Sequence, residues 1–320
     1  MPVVDSATAP AITAGATRTR PGTAADLLAL ARPAHWAKSL LVVPIALVDA
    51  PVWTTAALGR LGWAVLAFML AASTVYVGND IADRHRDRHH PVKRHRPVAA
   101  GRIPVAVAWL YCAALGTALG LLLVTGPAGQ WWPVLAYLLL NLLYSRGLKH
   151  VPLVEAGVVA AGFVLRVVQG YLATRGPVSG WLLVAVFAGC LLLIVGKRRQ
   201  ELLEATAAHR PALRGYSVEL AGHLLQLASA LTVTAGLLYL RTEAPFAPYG
   251  QVAMLVSTPL ALFAMSRYLQ LVLVHRAGGD PVRLLLRDRA VLVTGVLWLA
   301  ALGGVLVAAR FPDLARAVLP

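Results

Sequence analysis

The fold is decided by residues 73–104, which read STVYVGNDIADRHRDRHHPVKRHRPVAAGRIP. Here the end of an apolar, membrane-length segment runs into three carboxylates and then into seven Lys or Arg residues. Asp80, Asp83 and Asp87 would share one face of a helix, with Asn79 one turn before Asp83. Hard oxygen ligands at this spacing suit Mg²⁺, which completes its shell with water and substrate phosphates. We therefore predict a site for a metal and a diphosphate, with the three aspartates as catalytic residues and Asn79 as a fourth ligand.

The composition indicates an all-α polytopic membrane protein. The chain has 320 residues, of which 58% are hydrophobic and 13% are charged, and its mean hydropathy is +0.69. Soluble domains typically carry about 25% charged residues. A scan for apolar stretches of roughly 20 residues predicts about nine transmembrane helices. The predicted segments are 39–57, 61–80, 103–125, 130–146, 151–174, 178–196, 219–240, 250–274 and 289–309.

The distribution of Lys and Arg predicts the orientation in the membrane. The N-terminal segment and every second loop are basic, whereas the intervening loops carry few cations. The positive-inside rule then places the N-terminus and the predicted site in the cytoplasm and the C-terminus outside the cell membrane. The net charge of +15 is explained by this topology together with an anionic substrate. A nucleic-acid partner is not expected, because the charge is divided among short loops.

We expect one folded domain. Residues 1–25 are rich in Ala, Thr and Pro and lack apolar periodicity, which predicts a disordered tail before a single transmembrane domain over 26–320. Cys112 and Cys190 fall inside predicted membrane segments, which indicates packing rather than a disulfide or a metal site.

The basic loop that follows the aspartates has two interpretations. Lys93, Arg94 and Arg96 lie between Pro91 and Pro97. They could hold substrate phosphates beside the metal, or they could be ordinary positive-inside loop charges. The two prolines keep the cations close to the aspartates, which favours the phosphate interpretation.

Two further groups of charged residues fall at the ends of later segments. Glu155 and Arg166 are about three helical turns apart, on the same side of the fifth segment, and Lys149 precedes them. Arg166 lies near mid-membrane, where an unpaired charge costs at least about 2.5 kcal/mol. It either pairs with Glu155 or with backbone carbonyls, or it reaches an anionic substrate, and both interpretations stay open.

The third group lies at the end of the sixth segment. There Lys197, Arg198 and Glu201 can share a helix face. A basic cluster that ends a membrane helix is the alternative interpretation.

Five motifs resemble the UbiA superfamily of intramembrane transferases. They are RPAHWAKS at 32–39, NDIADRHRD at 79–87, HPVKRHRP at 90–97, YSRGLKHVPLVE at 144–155 and GKRRQEL at 196–202. More narrowly, the chain is similar to the branch that transfers a phosphoribosyl group from 5-phosphoribosyl-1-diphosphate to decaprenyl phosphate for arabinan precursors of the cell wall. The resemblance extends from about Arg32 to Arg310. Ser39 departs from it, since this branch often has Asn there.

The resemblance implies a bundle of nine helices with a polar cavity on the cytoplasmic side, and a Mg²⁺-dependent transfer that releases diphosphate. It also implies the substrate-binding residues, which are Lys38, Tyr76, Asn79, Lys93, Arg94, Arg96, Lys149, Glu155, Arg166, Lys197, Arg198 and Glu201. The prenyltransferases of the superfamily carry a second aspartate-rich motif in the second half of the chain. Here the matching region offers only Glu155.

This missing motif bears on the substrate. An enzyme that joins phosphoribosyl diphosphate to a polyprenyl phosphate has to hold three anionic groups, and so needs fewer acids and more cations than a prenyltransferase. The chain fits that balance, which predicts phosphoribosyl transfer to a polyprenyl phosphate in the lipid bilayer. A prenyltransferase for an aromatic or quinone-precursor acceptor and a transporter stay open as alternatives, as does a homo-oligomeric state.

Overall fold

The computed structural model describes residues 24–42, 54–204, 211–275, 279 and 281–311. These residues are mostly helical, and no strand occurs among them. The α-helices are α1 (Ala24–Ala31), α2 (Thr55–Ala82), α3 (Arg84–Arg88), α4 (Val105–Val124), α5 (Trp132–Arg146), α6 (Val154–Thr174), α7 (Gly180–Leu203), α8 (Val218–Thr242), α9 (Gly250–Leu273), α10 (Pro281–Arg287) and α11 (Arg289–Arg310). Short 3-10 helices lie at Pro33–Val42, Lys93–His95, Leu148–His150, Pro211–Gly215 and Ala247–Tyr249.

Membrane-length helices confirm the predicted class of all-α polytopic membrane protein. Within the described ranges, seven helices are long and apolar enough to cross a membrane, namely α2, α4, α6, α7, α8, α9 and α11. The predicted segment 130–146 corresponds to α5, which has only 15 residues. In the predicted segment 39–57, residues 39–42 belong to the 3-10 helix Pro33–Val42, and residues 43–53 lie outside the described residues. The number of nine spans therefore stays a prediction.

The predicted tail and domain stay untested for a related reason. Residues 1–23 lie outside the described residues, and helix α1 begins at Ala24.

Polar caps fix where several membrane helices begin. The hydroxyls of Thr54, Ser179 and Ser217 accept hydrogen bonds from backbone N–H groups in the first turns of α2, α7 and α8, at 3.0–3.1 Å. The Asp288 carboxylate does the same for α11, at 3.0 Å from the Val291 nitrogen. Each cap satisfies a backbone donor that an apolar environment would leave without a partner. The caps thus set the ends of the apolar segments that the hydropathy pattern predicts.

Helices α2 and α6 form the centre of the bundle. In the most apolar window of each helix, 56% of the α6 residues and 44% of the α2 residues are buried, compared with 6% for α11. Small buried residues on α2, among them Ala64, Ala67 and Ala71, face the side chains of Val134 and Tyr137 from α5. Small residues let helices approach closely in a membrane, where packing takes over from the hydrophobic effect. The residues of α2 and α6 are therefore the best shielded from lipid.

One end of the bundle collects the charged motifs, and we call it the carboxylate end. Helices α2, α5 and α7 finish there and α6 starts there, because Lys149 contacts Asp83 and Arg198 contacts Glu155. At the opposite end, the Trp63 indole nitrogen donates to the Leu122 carbonyl oxygen at 3.0 Å. The aspartate motif, Lys149, Glu155 and Arg198 therefore lie at one end of the bundle.

A brace at the carboxylate end holds the start of α6. Leu153 immediately precedes the helix at the strained φ of 64°. Its N–H donates to the Tyr216 hydroxyl oxygen at 3.0 Å, and Pro152 lies against Gly215. A Cβ at Gly215 would lie 2.3 Å from Cγ of Pro152, so this contact requires glycine. The segment after α7 thus fixes the first turn of α6, which carries Glu155.

The substitution Gly215→Ala tests this brace. The added methyl group has to displace Pro152. We therefore expect a loss of folding free energy typical of an overpacked site, about 1–3 kcal/mol, seen as a lower thermal unfolding midpoint in detergent. Gly222→Ala is the matched control, because no atom lies within 4 Å of its added Cβ and it lies inside α8, where alanine favours the helix. Equal midpoints for the two variants would contradict the brace.

Candidate functional site

The three aspartates lie on two helices. Helix α2 ends at Ala82, Asp83 caps it, and α3 carries Asp87. The prediction that the aspartates share one helix is therefore wrong. The break is slight, because the Asp83 nitrogen still donates to the Asn79 oxygen at 2.8 Å and the Asp87 nitrogen to the Asp83 oxygen at 2.9 Å. It nevertheless turns the carboxylates in two directions, with Asp80 and Asp87 on one side and Asp83 on the other.

Asp80 and Asp87 converge on the guanidinium group of Arg96. The same Nη1 atom donates to Oδ1 of Asp80 at 3.0 Å and to Oδ2 of Asp87 at 2.7 Å. Arg32 adds a second donor to Oδ1 of Asp80, at 2.6 Å. Both aspartates are only 2% exposed. Buried carboxylates need such charge-assisted partners, so Arg96 brings the two acids together from a loop outside the membrane helices.

Asp83 and Asn79 contact the connection between α5 and α6. The Lys149 ammonium donates to the two Asp83 oxygens at 3.2 and 3.5 Å. The Ser145 hydroxyl donates to Oδ1 of Asn79 at 2.7 Å. Arg86 is a distant ion-pair partner of Asp83, at 4.0 Å. Lys149 therefore meets the aspartate motif, as the predicted site requires.

Glu155 pairs with Arg198 rather than with Arg166. The Arg198 guanidinium donates Nε to Oε1 of Glu155 at 2.7 Å and Nη2 to Oε2 at 3.0 Å, and its Nη1 reaches Glu201 at 2.8 Å. Glu155 is 0% exposed. The predicted alternative in which Glu155 neutralises Arg166 is therefore wrong. A fork-to-fork pair from another helix offers both carboxylate oxygens better geometry than a residue three turns along the same helix.

Arg166 is buried among aromatic rings. It is 4% exposed, and Nη1 donates to the Gly162 carbonyl oxygen at 2.6 Å. Its guanidinium carbon lies 4.6 Å from the ring centre of Tyr137, with Phe68 and Phe163 slightly farther away. In the described part of the chain it meets no carboxylate, and its Nε has no hydrogen-bond partner. The predicted backbone-carbonyl contact is thus present, but the charge is not neutralised.

Lys38 interacts electrostatically with Arg166 and Lys197. His35 interacts in the same way with Lys38 and Lys197. Burial lowers the pKa of the Lys38 ammonium, and the charges of Arg166 and Lys197 lower that pKa further. Burial, followed by the charge of Lys38, lowers the pKa of His35 from 6.5 to about 4. Neither lysine forms an ion pair with a carboxylate within the described residues. His35 is therefore neutral at pH 7 among several cations.

The remaining predicted residues differ in how close they are to the aspartates. Tyr76 lies under the Arg32 guanidinium, 4.9 Å from the ring centre, and makes an edge contact with His35. Lys93 is half-buried. Arg94 is exposed and donates to Nε2 of His95 at 3.3 Å. Arg94 is thus a predicted residue that the structure does not bring to the aspartates.

Sequence reasoning missed four residues of this region as candidates. Arg32 and His35 belong to the RPAHWAKS motif, and Ser145 to the motif that carries Lys149, so the quoted motifs already contained them. Gln169 is 0% exposed, and neither of its amide atoms has a partner among the described residues. Its polar side chain inside a predicted membrane segment was the available evidence.

The residues fit a Mg²⁺ ion in part. Asp80 and Asp87 both direct carboxylate oxygen atoms at the Arg96 guanidinium. Carboxylate oxygen is the type of ligand that Mg²⁺ prefers. Asp83 and Asn79 are engaged elsewhere, and no group of three acidic, His or Cys side chains converges within the described residues. Two carboxylates are sufficient for an ion that keeps several waters and shares substrate phosphates. The predicted set of four ligands stays a prediction.

Membrane-length helices around a charged end define a polytopic membrane protein with a polar site inside the bundle. Its sequence matches the model of the UbiA prenyltransferase family over residues 39–287. The chain belongs to this family and is an intramembrane transferase, which confirms the resemblance found in its motifs.

Known relatives cover most of the chain. The decaprenyl-phosphate phosphoribosyltransferase of Mycobacterium tuberculosis is 34% identical over 287 residues, which is 85% of this chain and 91% of that protein. The decaprenyl-phosphate phosphoribosyltransferase of Mycolicibacterium smegmatis is 31% identical over 301 residues, which is 87% of this chain and 91% of that protein. A UbiA homolog from Archaeoglobus fulgidus, solved bound to GPP and Mg²⁺, has a TM-score of 0.62 at 20% identity and covers 88% of this chain and 99% of that one. The last comparison supports the fold.

Removing Arg96 should change how the protein binds metal. In Arg96→Gln, Asp80 and Asp87 lose a shared cation, so the variant should unfold at a lower temperature in EDTA and bind Mn²⁺ about tenfold more tightly without diphosphate. Mn²⁺ electron paramagnetic resonance titration measures this affinity. Arg86→Gln is the matched control, because Arg86 is exposed and 4.0 Å from its acid. Wild-type Mn²⁺ affinity in Arg96→Gln would contradict the shared role of the two carboxylates.

His35 should make stability depend on pH. Its pKa of about 4 in the folded protein is lower than the usual 6.5, so the unfolded chain binds more protons in between. Stability should therefore fall as the pH drops from about 6.5 towards about 4, and thermal unfolding at several pH values would measure it. His35→Gln should flatten this slope, whereas the exposed His223→Gln should not. Identical slopes in both variants would exclude His35 as the origin.

Proposed function

We propose that this enzyme transfers a 5-phosphoribosyl group from phosphoribosyl diphosphate to a polyprenyl phosphate, such as decaprenyl phosphate, and releases diphosphate. The observation that carries the proposal is the imbalance of charge around the site. The buried acids Asp80, Asp87 and Glu155 are each paired with arginine, whereas Arg166, Lys38 and Lys197 meet no carboxylate within the described residues. The names of the mycobacterial relatives support the same reaction.

The pairing of Glu155 argues against a second metal site. In the prenyltransferases that the motifs resemble, a second aspartate-rich motif would supply ligands in this half of the chain. Here Glu155 gives both of its oxygens to Arg198, and Arg198 also holds Glu201. Removing a carboxylate from such a buried pair would strand a charge, at a cost of about 3–5 kcal/mol. One acidic cluster facing several cations fits a substrate with more phosphate groups than metal ions.

Asp80 and Asp87 would hold Mg²⁺, and Asn79 and Asp83 would complete the set if they turned towards it. An ion held there would supply positive charge that offsets the negative charge of a leaving diphosphate. Arg96 and Arg32 already lie on these carboxylates and can donate to the diphosphate when the ion takes their place. Lys149, Lys93 and Arg94 supply further positive charge at the same end. Tyr76 supports the Arg32 guanidinium from below.

The acceptor needs no general base. A phosphate oxygen of a polyprenyl phosphate is already anionic at pH 7 and can attack the sugar carbon directly. The chain therefore has to orient the two substrates and exclude water rather than move a proton. His35 is neutral at this pH and leaves the local positive charge to the arginines and lysines.

The location follows from the distribution of positive charge. The carboxylate end carries the basic loops, so we place it in the cytoplasm, with the N-terminus on the same side and the C-terminus outside the cell membrane. The polyprenyl tail would lie between membrane helices with its phosphate at the carboxylate end. The product would serve arabinan precursor and cell-wall synthesis. A homo-oligomer remains compatible with this arrangement.

A prenyltransferase with an aromatic acceptor is the second candidate. It is favoured by the family model and by the Archaeoglobus structure, whose fold this chain shares and which contains GPP. Such an enzyme would need cations for one diphosphate only, so Arg166, Lys38 and Lys197 would have no evident ligand.

Turnover with exchanged donors separates the two candidates. The purified protein with Mg²⁺, phosphoribosyl diphosphate and a polyprenyl phosphate should release diphosphate, whereas a prenyl diphosphate with an aromatic acceptor should not. Asp80→Asn keeps the shape of the side chain but removes the negative charge that would bind the metal ion. The turnover rate of this variant should fall at least about 100-fold, as when a group that stabilises the transition state is lost. Turnover with the prenyl donor alone would overturn the proposal, and full activity in excess EDTA would exclude the metal.

A further inference from the structure

Helix α1 is connected by an ion pair to the loop of residues 93–103, which carries Arg96. Asp26, in the first turn of α1, accepts a hydrogen bond from Nε of Arg102 at 2.8 Å. The Nη2 atom of the same guanidinium donates to the His95 carbonyl oxygen at 3.1 Å. The side chain of Asp26 is 16% exposed and that of Arg102 is 33% exposed. Arg102 therefore forms a bridge between α1 and the peptide group that precedes Arg96.

The bridge holds Arg96 through a rigid peptide group. The His95 carbonyl and the Arg96 N–H belong to one planar unit. Arg102 binds the carbonyl side of this unit, and the Arg96 N–H donates to the Lys93 carbonyl oxygen at 3.0 Å. The Arg96 carbonyl oxygen accepts from the Ala100 nitrogen at 2.8 Å. Both peptide groups that flank the Arg96 Cα are thus fixed, so its side chain starts from a defined point on its way to the aspartates.

Apolar contacts join the same loop to α1 and α2. Val98 and Ile103 of the loop are 2% and 3% exposed. They belong to one buried cluster with Leu30 of α1 and with Val77 and Ile81 of α2. Helix α1, the loop and the last turns of α2 therefore pack together around the aspartate motif.

The other end of α1 contacts the aspartate motif directly. Arg32 follows α1 at the left-handed φ of 53°, which is a strained conformation for a residue other than glycine. Its Nη2 donates to Oδ1 of Asp80 at 2.6 Å, and Arg96 donates to the same oxygen atom. The Ala31 carbonyl oxygen accepts from the Ser73 hydroxyl of α2 at 3.2 Å. Both ends of α1 are therefore connected to one carboxylate oxygen, one end directly and the other through the bridge.

We propose that Asp26 and Arg102 are positioning residues, which set the Arg96 guanidinium against Asp80 and Asp87 from helix α1. The planar fork of Arg102 suits this role, because it offers separate nitrogen atoms to the carboxylate and to the carbonyl. The consequence for metal binding rests on the proposed function, in which Asp80 and Asp87 hold a divalent ion once Arg96 moves to a diphosphate. A weakened bridge should therefore release the two carboxylates to a divalent ion without diphosphate.

Hydrogen exchange of the full-length protein in detergent tests the bridge without metal or substrate. In Arg102→Gln, we expect the backbone N–H groups of residues 93–103 to exchange at least about tenfold faster, because the loop loses its connection to α1. Asp26→Asn should act in the same direction. Arg84→Gln is the matched control, because it removes an equal charge near the aspartates, where Arg84 donates locally to the Ile81 carbonyl oxygen at 2.9 Å. Unchanged exchange of the loop in Arg102→Gln would refute the proposal.

Mn²⁺ electron paramagnetic resonance titration without diphosphate separates a positioning role from a merely structural one. Arg102→Gln should bind Mn²⁺ at least about threefold more tightly than the wild type, in the direction expected of Arg96→Gln. In the double variant, Arg102→Gln should add nothing to the effect of Arg96→Gln, because Arg102 acts through Arg96. Arg84→Gln should keep the wild-type affinity.

The outcomes are distinct. Wild-type Mn²⁺ affinity in Arg102→Gln beside a tighter Arg96→Gln would refute the positioning role, as would additive effects in the double variant. If Mn²⁺ binds to neither variant, the metal site of the proposed function is refuted, and hydrogen exchange alone decides about the bridge. If Arg102→Gln misfolds, Arg102→Lys replaces it. Lysine keeps the charge beside Asp26 but lacks the fork, so exchange of the loop should still be faster in a folded protein.

Discussion

A charge inside an apolar bundle has to be compensated, and this constraint organises the carboxylate end. Asp80 and Asp87 share the guanidinium of Arg96, and Glu155 has Arg198. Because these acids are already neutralised, a divalent ion can join Asp80 and Asp87 only when Arg96 finds another anion. A diphosphate offers that anion. Under the proposed function, metal and diphosphate binding would therefore be linked through one arginine, and each would strengthen the other.

The same constraint acts in the opposite sense on the cations. Arg166 is more deeply placed than the aspartates but has only a carbonyl oxygen and aromatic rings as partners. Rings stabilise a guanidinium by about 0.5–2 kcal/mol, which offsets only part of the cost of its burial. Lys38 and Lys197 add repulsion. The cost of these uncompensated charges would be removed by an anionic substrate of the kind that the proposed function requires.

The sequence predicted the positions of several membrane helices well, but it did not predict which side chains pair between the helices. The predicted segments 103–125 and 289–309 agree with α4 and α11 to within about two residues, because hydropathy and capping are local properties. The helical period correctly predicted that Glu155 and Arg166 lie in one helix, about three turns apart. It could not identify the neighbouring helix, so the bidentate partner Arg198 was missed.

The true partner of Glu155 changes how substrate specificity is distributed over the two halves of the bundle. If Glu155 paired with Arg166, this deep guanidinium would be compensated, the unpaired cations would lie at the carboxylate end, and a single diphosphate would satisfy the site. Because Arg198 engages both Glu155 and Glu201 instead, Arg166 stays uncompensated in the second half, while the first half contributes the carboxylates of the aspartate motif. A donor with a diphosphate at one end of a sugar and a phosphate at the other has the matching asymmetry. A prenyl diphosphate, which is apolar beyond its leaving group, would leave the inner cations uncompensated.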